Sequence, residues 1–288
     1  MLSYGALTRG DQSGRIRHRP PGGTDPRDLE FAVLDTETTG LDPRHDRICE
    51  IALVRMRGDG TVLDTYDTLV DPGMPIDNAA FHGILDADVR GAPEFPMIAP
   101  DLLDRMSGAI LVAHNLDFDA GMLEAELRRA GLEPPDLVGL CTLTSARAQL
   151  DLRSYRLPEI VRTLTGGPPP HTHWALGDAR ACALVLGGLI GAGPRPMRFH
   201  GPPAPVLAVP QAAEPLASRP RAVGASPEPP DCPPYGTAVP AWGAAWRRHE
   251  LDDDLCRGRF DRTRRRRARL VTFWRRLVRA RRPSDRWG

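Results

Sequence analysis

The chain contains no lysine: its 38 basic residues are all arginine, set against 37 acidic ones in 288 residues. It also has no long apolar run. The longest, Ala181 to Gly193, is too short for a bilayer and rich in glycine, which excludes a transmembrane helix. The N-terminus MLSYGALTRGDQ lacks the charged-then-apolar pattern of a secretory signal, so a cytoplasmic location is expected. The five cysteines (Cys49, Cys141, Cys182, Cys232 and Cys256) show no C-x-x-C spacing. They read as reduced thiols, which excludes a disulfide frame and a zinc site. No internal repeat is present.

What is present is charge, unevenly placed. The net charge of +1 hides an acidic body and a basic end. Residues 28–192 carry 13 Arg against 26 acids, a balance of −13; residues 257–286 carry 14 Arg against 2 Asp, a balance of +12. Such asymmetry points to nucleic acid, an anionic surface or a partner protein. Of the 30 prolines, 14 fall between Gly193 and Pro240, so one folded domain is expected rather than two. The boundaries follow: 1–27 polar and disordered, 28–192 the folded domain, 193–250 a Pro/Ala-rich linker, and 251–288 an Arg-rich tail. In that tail Leu270, Phe273, Trp274, Leu277 and Val278 recur at helical spacing with arginines between them, a basic amphipathic pattern.

Within 28–192 the pattern is mixed. Glu30–Glu37 begins as a continuous apolar run, as a strand buried on both faces does. Arg47–Gly58 and Thr61–Val70 flank Gly58-Asp59-Gly60, a hairpin signal that makes them antiparallel. A helix is expected over 93–106, a buried strand over Ala109–Asn115, and a helix over Asp117–Ala130 ending at Gly131. A fifth strand is expected over Leu137–Leu143, then helices over Leu157–Leu164 and Gly177–Ile190. The result is an α/β fold: a mixed five-stranded sheet flanked by helices.

The chemistry lies in acids placed where acids are costly. Asp35 and Glu37 sit two apart at the end of an apolar strand, so both point to one face. There they repel and lose solvation, and a divalent cation relieves both. Asp119 follows the fourth strand; its neighbour Asp117 lies about 200° away around a helix, so only one of the two faces a common site. Asp178 opens the last helix, with His173 five residues earlier. Taken singly, the paired acids suit a solvated strand end, Asp119 and Asp178 suit a first helical turn, and His173 suits a solvated loop. Taken jointly, D-T-E-T-T-G (35–40), H-N-x-x-F-D (114–119) and H-x-x-x-x-D (173–178) form a set.

That set resembles the DEDDh (DnaQ-like) 3'-5' exonucleases, the family of the proofreading epsilon subunit of bacterial DNA polymerase III. The resemblance covers Leu29 to Ile190 and implies a ribonuclease H-like fold. It implies that Asp35, Glu37, Asp119 and Asp178 hold two divalent ions. Oxygen-only ligands favour Mg²⁺ or Mn²⁺. It makes His173 the general base, a role suited to a group with an ordinary pKa near 6.5. His171 competes on proximity, but the spacing of His173 to Asp178 matches the family. The sister group's tyrosine would stand where Trp174 does. Thr38, Leu41, His82, Asn115 and Phe118 are implied around the terminal nucleotide; Leu41 and Phe118 also suit core positions, and Asn115 a helix cap. Leu116-Asp117 departs from the small neutral residues of many relatives. The expected partner is a single-stranded 3' end, DNA in preference to RNA, with the arginine tail binding phosphates or docking a DNA polymerase subunit. An exoribonuclease and a non-catalytic polymerase-binding subunit are the alternatives.

Overall fold

The computed structural model describes residues 2–9, 23–167, 173–191, 197–209 and 218–221. The arginine-rich tail, most of the proline-rich stretch and His171 lie outside these residues. The elements run β1 (Leu2–Tyr4), β2 (Ala6–Arg9), β3 (Glu30–Thr38), β4 (Ile48–Arg57), β5 (Val62–Leu69), α1 (Ala79–His82), α2 (Asp86–Val89), α3 (Phe95–Met106) and β6 (Ile110–Ala113). They continue as α4 (Leu116–Arg129), β7 (Leu137–Cys141), α5 (Thr142–Gln149), α6 (Leu157–Thr165), α7 (Ala175–Gly191) and β8 (Met197–His200). Among them no helix is long and apolar enough to cross a membrane.

The main sheet has the order β1-β7-β6-β3-β4-β5. β3, β6, β7 and β1 are parallel neighbours, while β4 and β5 form the expected antiparallel hairpin. Gly60 closes that hairpin with φ +94°, a conformation open to glycine without steric cost. Five of these strands are expected from the sequence; the sixth, β1, lies within residues 1–27 and corrects their reading as lacking structure at Leu2–Tyr4. Leu2–Tyr4 pairs with β7 in register Leu2↔Leu137, covering a row of backbone groups that would otherwise be an open edge. Gly139 makes room for it: a Cβ there would meet Leu116 at 2.5 Å and Leu2 at 2.9 Å. Three residues are too few to show a period, so the sequence does not reveal such a strand. Likewise Met197–His200, from the expected linker, pairs antiparallel with β2. The fifth expected strand is shorter than its apolar run, since Thr142 and Leu143 already belong to α5.

Alternation along β3 divides the core and aims the acids. Phe31 and Val33 pack with α6 and α7 against one face; Ala32 and Leu34 pack with α3 and α4 against the other. By the two-residue period, Asp35 and Glu37 continue the α7 face, while Thr36 continues the α4 face. β3 pairs with β6 only as far as Val33↔Val112, so Asp35 to Thr38 run beyond β6, at the carboxyl end of the parallel strands. Ligands in open α/β sheets bind in that place.

Candidate active site

Each acidic side chain reaches this corner for a local reason. Asp35 and Glu37 arrive on β3, and a bulge follows at once: Glu37 pairs with Glu50, but Thr38 pairs with Ile48. Bulges bend a strand and re-aim its side chains. Asp119 sits in the first turn of α4, buried at 4% exposure, and accepts a hydrogen bond from the Thr36 hydroxyl at 2.9 Å. Asp178 lies in the first turn of α7, where the helix dipole favours an anion. Its Oδ2 accepts the His173 backbone N–H at 3.0 Å. One carboxylate oxygen each from Glu37 and Asp178 and one ring nitrogen of His173 lie within 4.8 Å of one another.

The electrostatics are those of crowded anions. Burial pushes Asp35 well above the ordinary carboxylate range, and the charges of Asp119, Asp178, Glu37 and Glu50 push it further. Glu37 is pushed up to about 8, by burial first and then by Asp178 and Glu50. Asp119 is pushed up to about 7, again by burial, against the lowering effect of the Thr36 hydroxyl. Asp178 is also raised by burial, opposed by the His173 N–H. Such a cluster favours either protons or a cation. The donors are carboxylate oxygens with one imidazole beside them, which fits a hard divalent cation better than a thiophilic one.

The residues expected around the terminal nucleotide divide. Leu41 is exposed, at 48%, and Asn115 is exposed in a left-handed conformation (φ +80°) at the start of α4. Its side chain makes no capping hydrogen bond. Phe118 is half-buried against the α3/α4 core. Thr38 is buried and its hydroxyl closes onto the Gly40 carbonyl at 2.6 Å. His82 is buried too: Nδ1 accepts the Ile84 N–H at 3.1 Å and Nε2 lies 3.2 Å from Asn78 Oδ1. The Asn78 amide in turn donates to the Thr38 carbonyl at 2.7 Å. The His82 ring thus braces the loop after β3. Asp117, the neighbour that cannot face the same way as Asp119, accepts a hydrogen bond from the Tyr4 hydroxyl. His114 lies between Thr142 Oγ1 and the Tyr155 carbonyl, and burial drops it to about 4, so it is a neutral core histidine.

Two site residues escape sequence reasoning. Glu50 is 3% exposed, faces Glu37 across the strands, and accepts the Ala175 N–H at 3.1 Å. Its signal was present in I-C-E-I, an acid inside an apolar strand. Arg221 enters from the proline-rich stretch and lies 3.8 Å from the Glu50 carboxylate. Nothing in that stretch marks it.

Comparison with known proteins bears on the family and the fold. The exonuclease family profile (RNase_T) matches residues 32–186. A PolC-type DNA polymerase III of Thermotoga maritima is 37% identical over 161 residues, covering 55% of this chain and 12% of the polymerase. A Mycobacterium tuberculosis protein named as a bifunctional exonuclease/endonuclease is 38% identical over 176 residues, covering 57% of this chain and 27% of that protein. The chain therefore spans a small fraction of the length of these relatives. Among solved structures, Escherichia coli exonuclease I with a dA16 oligonucleotide superposes with TM-score 0.50 at 19% identity, covering 56% of this chain and 41% of that one. Its zinc-bound single-stranded DNA complex gives TM-score 0.50 at 18% identity, covering 56% and 40%. At such identity these two likenesses speak for the fold.

Proposed function

The chain belongs to the exonuclease family, and on that premise we propose that it is a metal-dependent 3'-5' exonuclease releasing nucleoside 5'-monophosphates from DNA. The observation that carries this reading is the meeting of Asp35, Glu37, Asp119 and Asp178 with His173 at the carboxyl end of the parallel strands. In this reading Asp35, Glu37 and Asp178 hold Mg²⁺ or Mn²⁺, two ions in all, with Asp119 supporting Asp35. Bound there, the ions supply positive charge for the attacked phosphate and the leaving 3' oxygen.

The chain's own residues do the rest. His173 takes the proton of the attacking water, and its backbone N–H on Asp178 ties base to ligand. Thr36 holds Asp119 in one orientation. Thr38, Leu41, His82, Asn115 and Phe118 frame the terminal nucleotide. Leu41 and Asn115 are exposed and available to touch it; Thr38 and His82 shape the frame from below. The arginines of residues 257–286 neutralise backbone phosphates that an acidic body would repel. The PolC-type relative, itself a DNA polymerase chain, supports a setting in replication; a separate polymerase subunit as partner is part of the proposal and rests on the arginine-rich tail.

Purified protein is incubated with end-labelled single-stranded DNA or RNA, with Mg²⁺ or with EDTA. The expected result is stepwise loss of DNA from the 3' end, abolished by EDTA and by Asp35→Ala. Absence of wild-type degradation, or its survival in Asp35→Ala, refutes the reading. Preferential loss of RNA selects the exoribonuclease instead.

A further inference from the structure

We infer that Arg221 is a positioning residue of the active site, clamping, together with Glu50, the loop that carries His173. The inference rests on the reading of His173 as the base, and it extends the working unit beyond residues 32–186.

The segment bearing Arg221 is anchored before it reaches the site. Leu69 N–H donates to the Arg219 carbonyl at 2.9 Å, and Arg219 N–H donates to Thr68 Oγ1 at 3.0 Å. The Arg219 guanidinium donates to the Arg90 carbonyl at 2.6 Å. Residues 218–221 thus dock on the β5 edge, and Arg221 is delivered across the mouth of the site. Its side chain is only 13% exposed. It donates to the His173 carbonyl at 3.3 Å and to the His82 carbonyl, and lies 4.8 Å over the centre of the Trp174 ring. Its ion-pair partner Glu50 accepts the N–H of Ala175. Three consecutive residues, His173, Trp174 and Ala175, are therefore each held by one member of a buried ion pair.

The loop needs such a hold. His173 adopts φ +64°, a left-handed conformation that is costly for a non-glycine residue. Released, the loop relaxes toward ordinary backbone angles and carries the imidazole away from Glu37 and Asp178. A guanidinium suits the task better than an ammonium, since it stacks on an indole and donates in two directions at once.

The test uses the full chain with Arg221→Ala, Arg221→Lys and Glu50→Gln. Backbone hydrogen exchange over 173–178 reads the clamp without reference to activity. It is expected to quicken about tenfold in Arg221→Ala, an opening worth about 1.4 kcal/mol, and less in the other two. Turnover on end-labelled single-stranded DNA is expected to fall about 100-fold in Arg221→Ala, with KM within about threefold, as for a misplaced catalytic group. Methylguanidinium in solution restores part of the turnover of Arg221→Ala and none of that of Asp35→Ala. Unchanged exchange over 173–178 overturns the clamp; a loss that falls on KM alone overturns it in favour of direct substrate contact. If Arg221→Ala does not fold, the same exchange in Arg221→Lys and Glu50→Gln decides. An inactive wild type whose loop still loosens refutes the exonuclease reading and leaves the clamp standing.

Discussion

Replacing Glu37 by glutamine is expected to stabilise the metal-free protein, and to do so more as pH rises. Glu37 is pushed up from 4.5 to about 8, chiefly by burial and by the charges of Asp178 and Glu50. A group whose folded value is raised contributes stability that is fully present below its unfolded value and lost as pH climbs through the folded one. The window is therefore about 4.5 to 8. At about 1.4 kcal/mol per pH unit, keeping this carboxyl in the folded protein costs about 1 kcal/mol at pH 5 and about 4 kcal/mol at pH 8. Glutamine removes that dependence. Whatever constant cost the amide brings is the same at both pH values, so the difference of differences isolates the charge. It should be about 3 kcal/mol, or roughly 6–12 °C in Tm for a domain of this size. The assay is thermal unfolding of wild type and Glu37→Gln by circular dichroism, in EDTA, at pH 5 and pH 8. A gap between the two proteins that does not widen with pH would show that Glu37 is not crowded by its neighbours.

Other expectations follow from the same contacts. Mg²⁺ should restore at pH 8 much of what the wild type loses there, by about 3 kcal/mol at a hundredfold excess over Kd, and should do far less for Glu37→Gln; equal Mg²⁺ gains in calorimetry would contradict the ligand assignment. Glu126, 1% exposed, receives Arg47 through two hydrogen bonds at 2.7 and 3.0 Å, and the Ile48 N–H besides. Glu126→Ala leaves Arg47 unpaired at the start of β4 and should cost about 3 kcal/mol in urea unfolding; a loss under 1 kcal/mol would mean the pair is solvated. Removing residues 257–288 should weaken binding of single-stranded DNA and flatten its salt dependence by about 0.7 in log–log slope for each phosphate no longer neutralised. An unchanged slope in fluorescence anisotropy assigns the tail to a protein partner instead.

How much of this was legible in the sequence depends on the distance over which each signal acts. Asp35 and Glu37 are readable because a local rule, apolar alternation, is broken by charge within one strand. Asp119 and Asp178 break no such rule, since acids suit helix starts; only the joint spacing raises them above first-turn acids. Glu50 breaks the same rule in I-C-E-I, yet it stands alone in its strand. Only the bulge at Glu37/Thr38 and the register to β3 reveal what it faces. Arg221 breaks no rule at all: an arginine among prolines and alanines looks solvated. Its role arises from contacts with residues 47 to 171 positions away in the chain. Leu2–Tyr4 is hidden in the same way, being a strand only because β7 offers an unpaired edge and Gly139 leaves room. Sequence reading therefore finds the groups proposed to do chemistry, whose signal is a broken pattern or a joint spacing along the chain. It misses the groups that hold them, because a clamp is defined by its partners and not by its neighbours. Glu50→Gln and Arg221→Ala probe that second class, and Asp35→Ala the first.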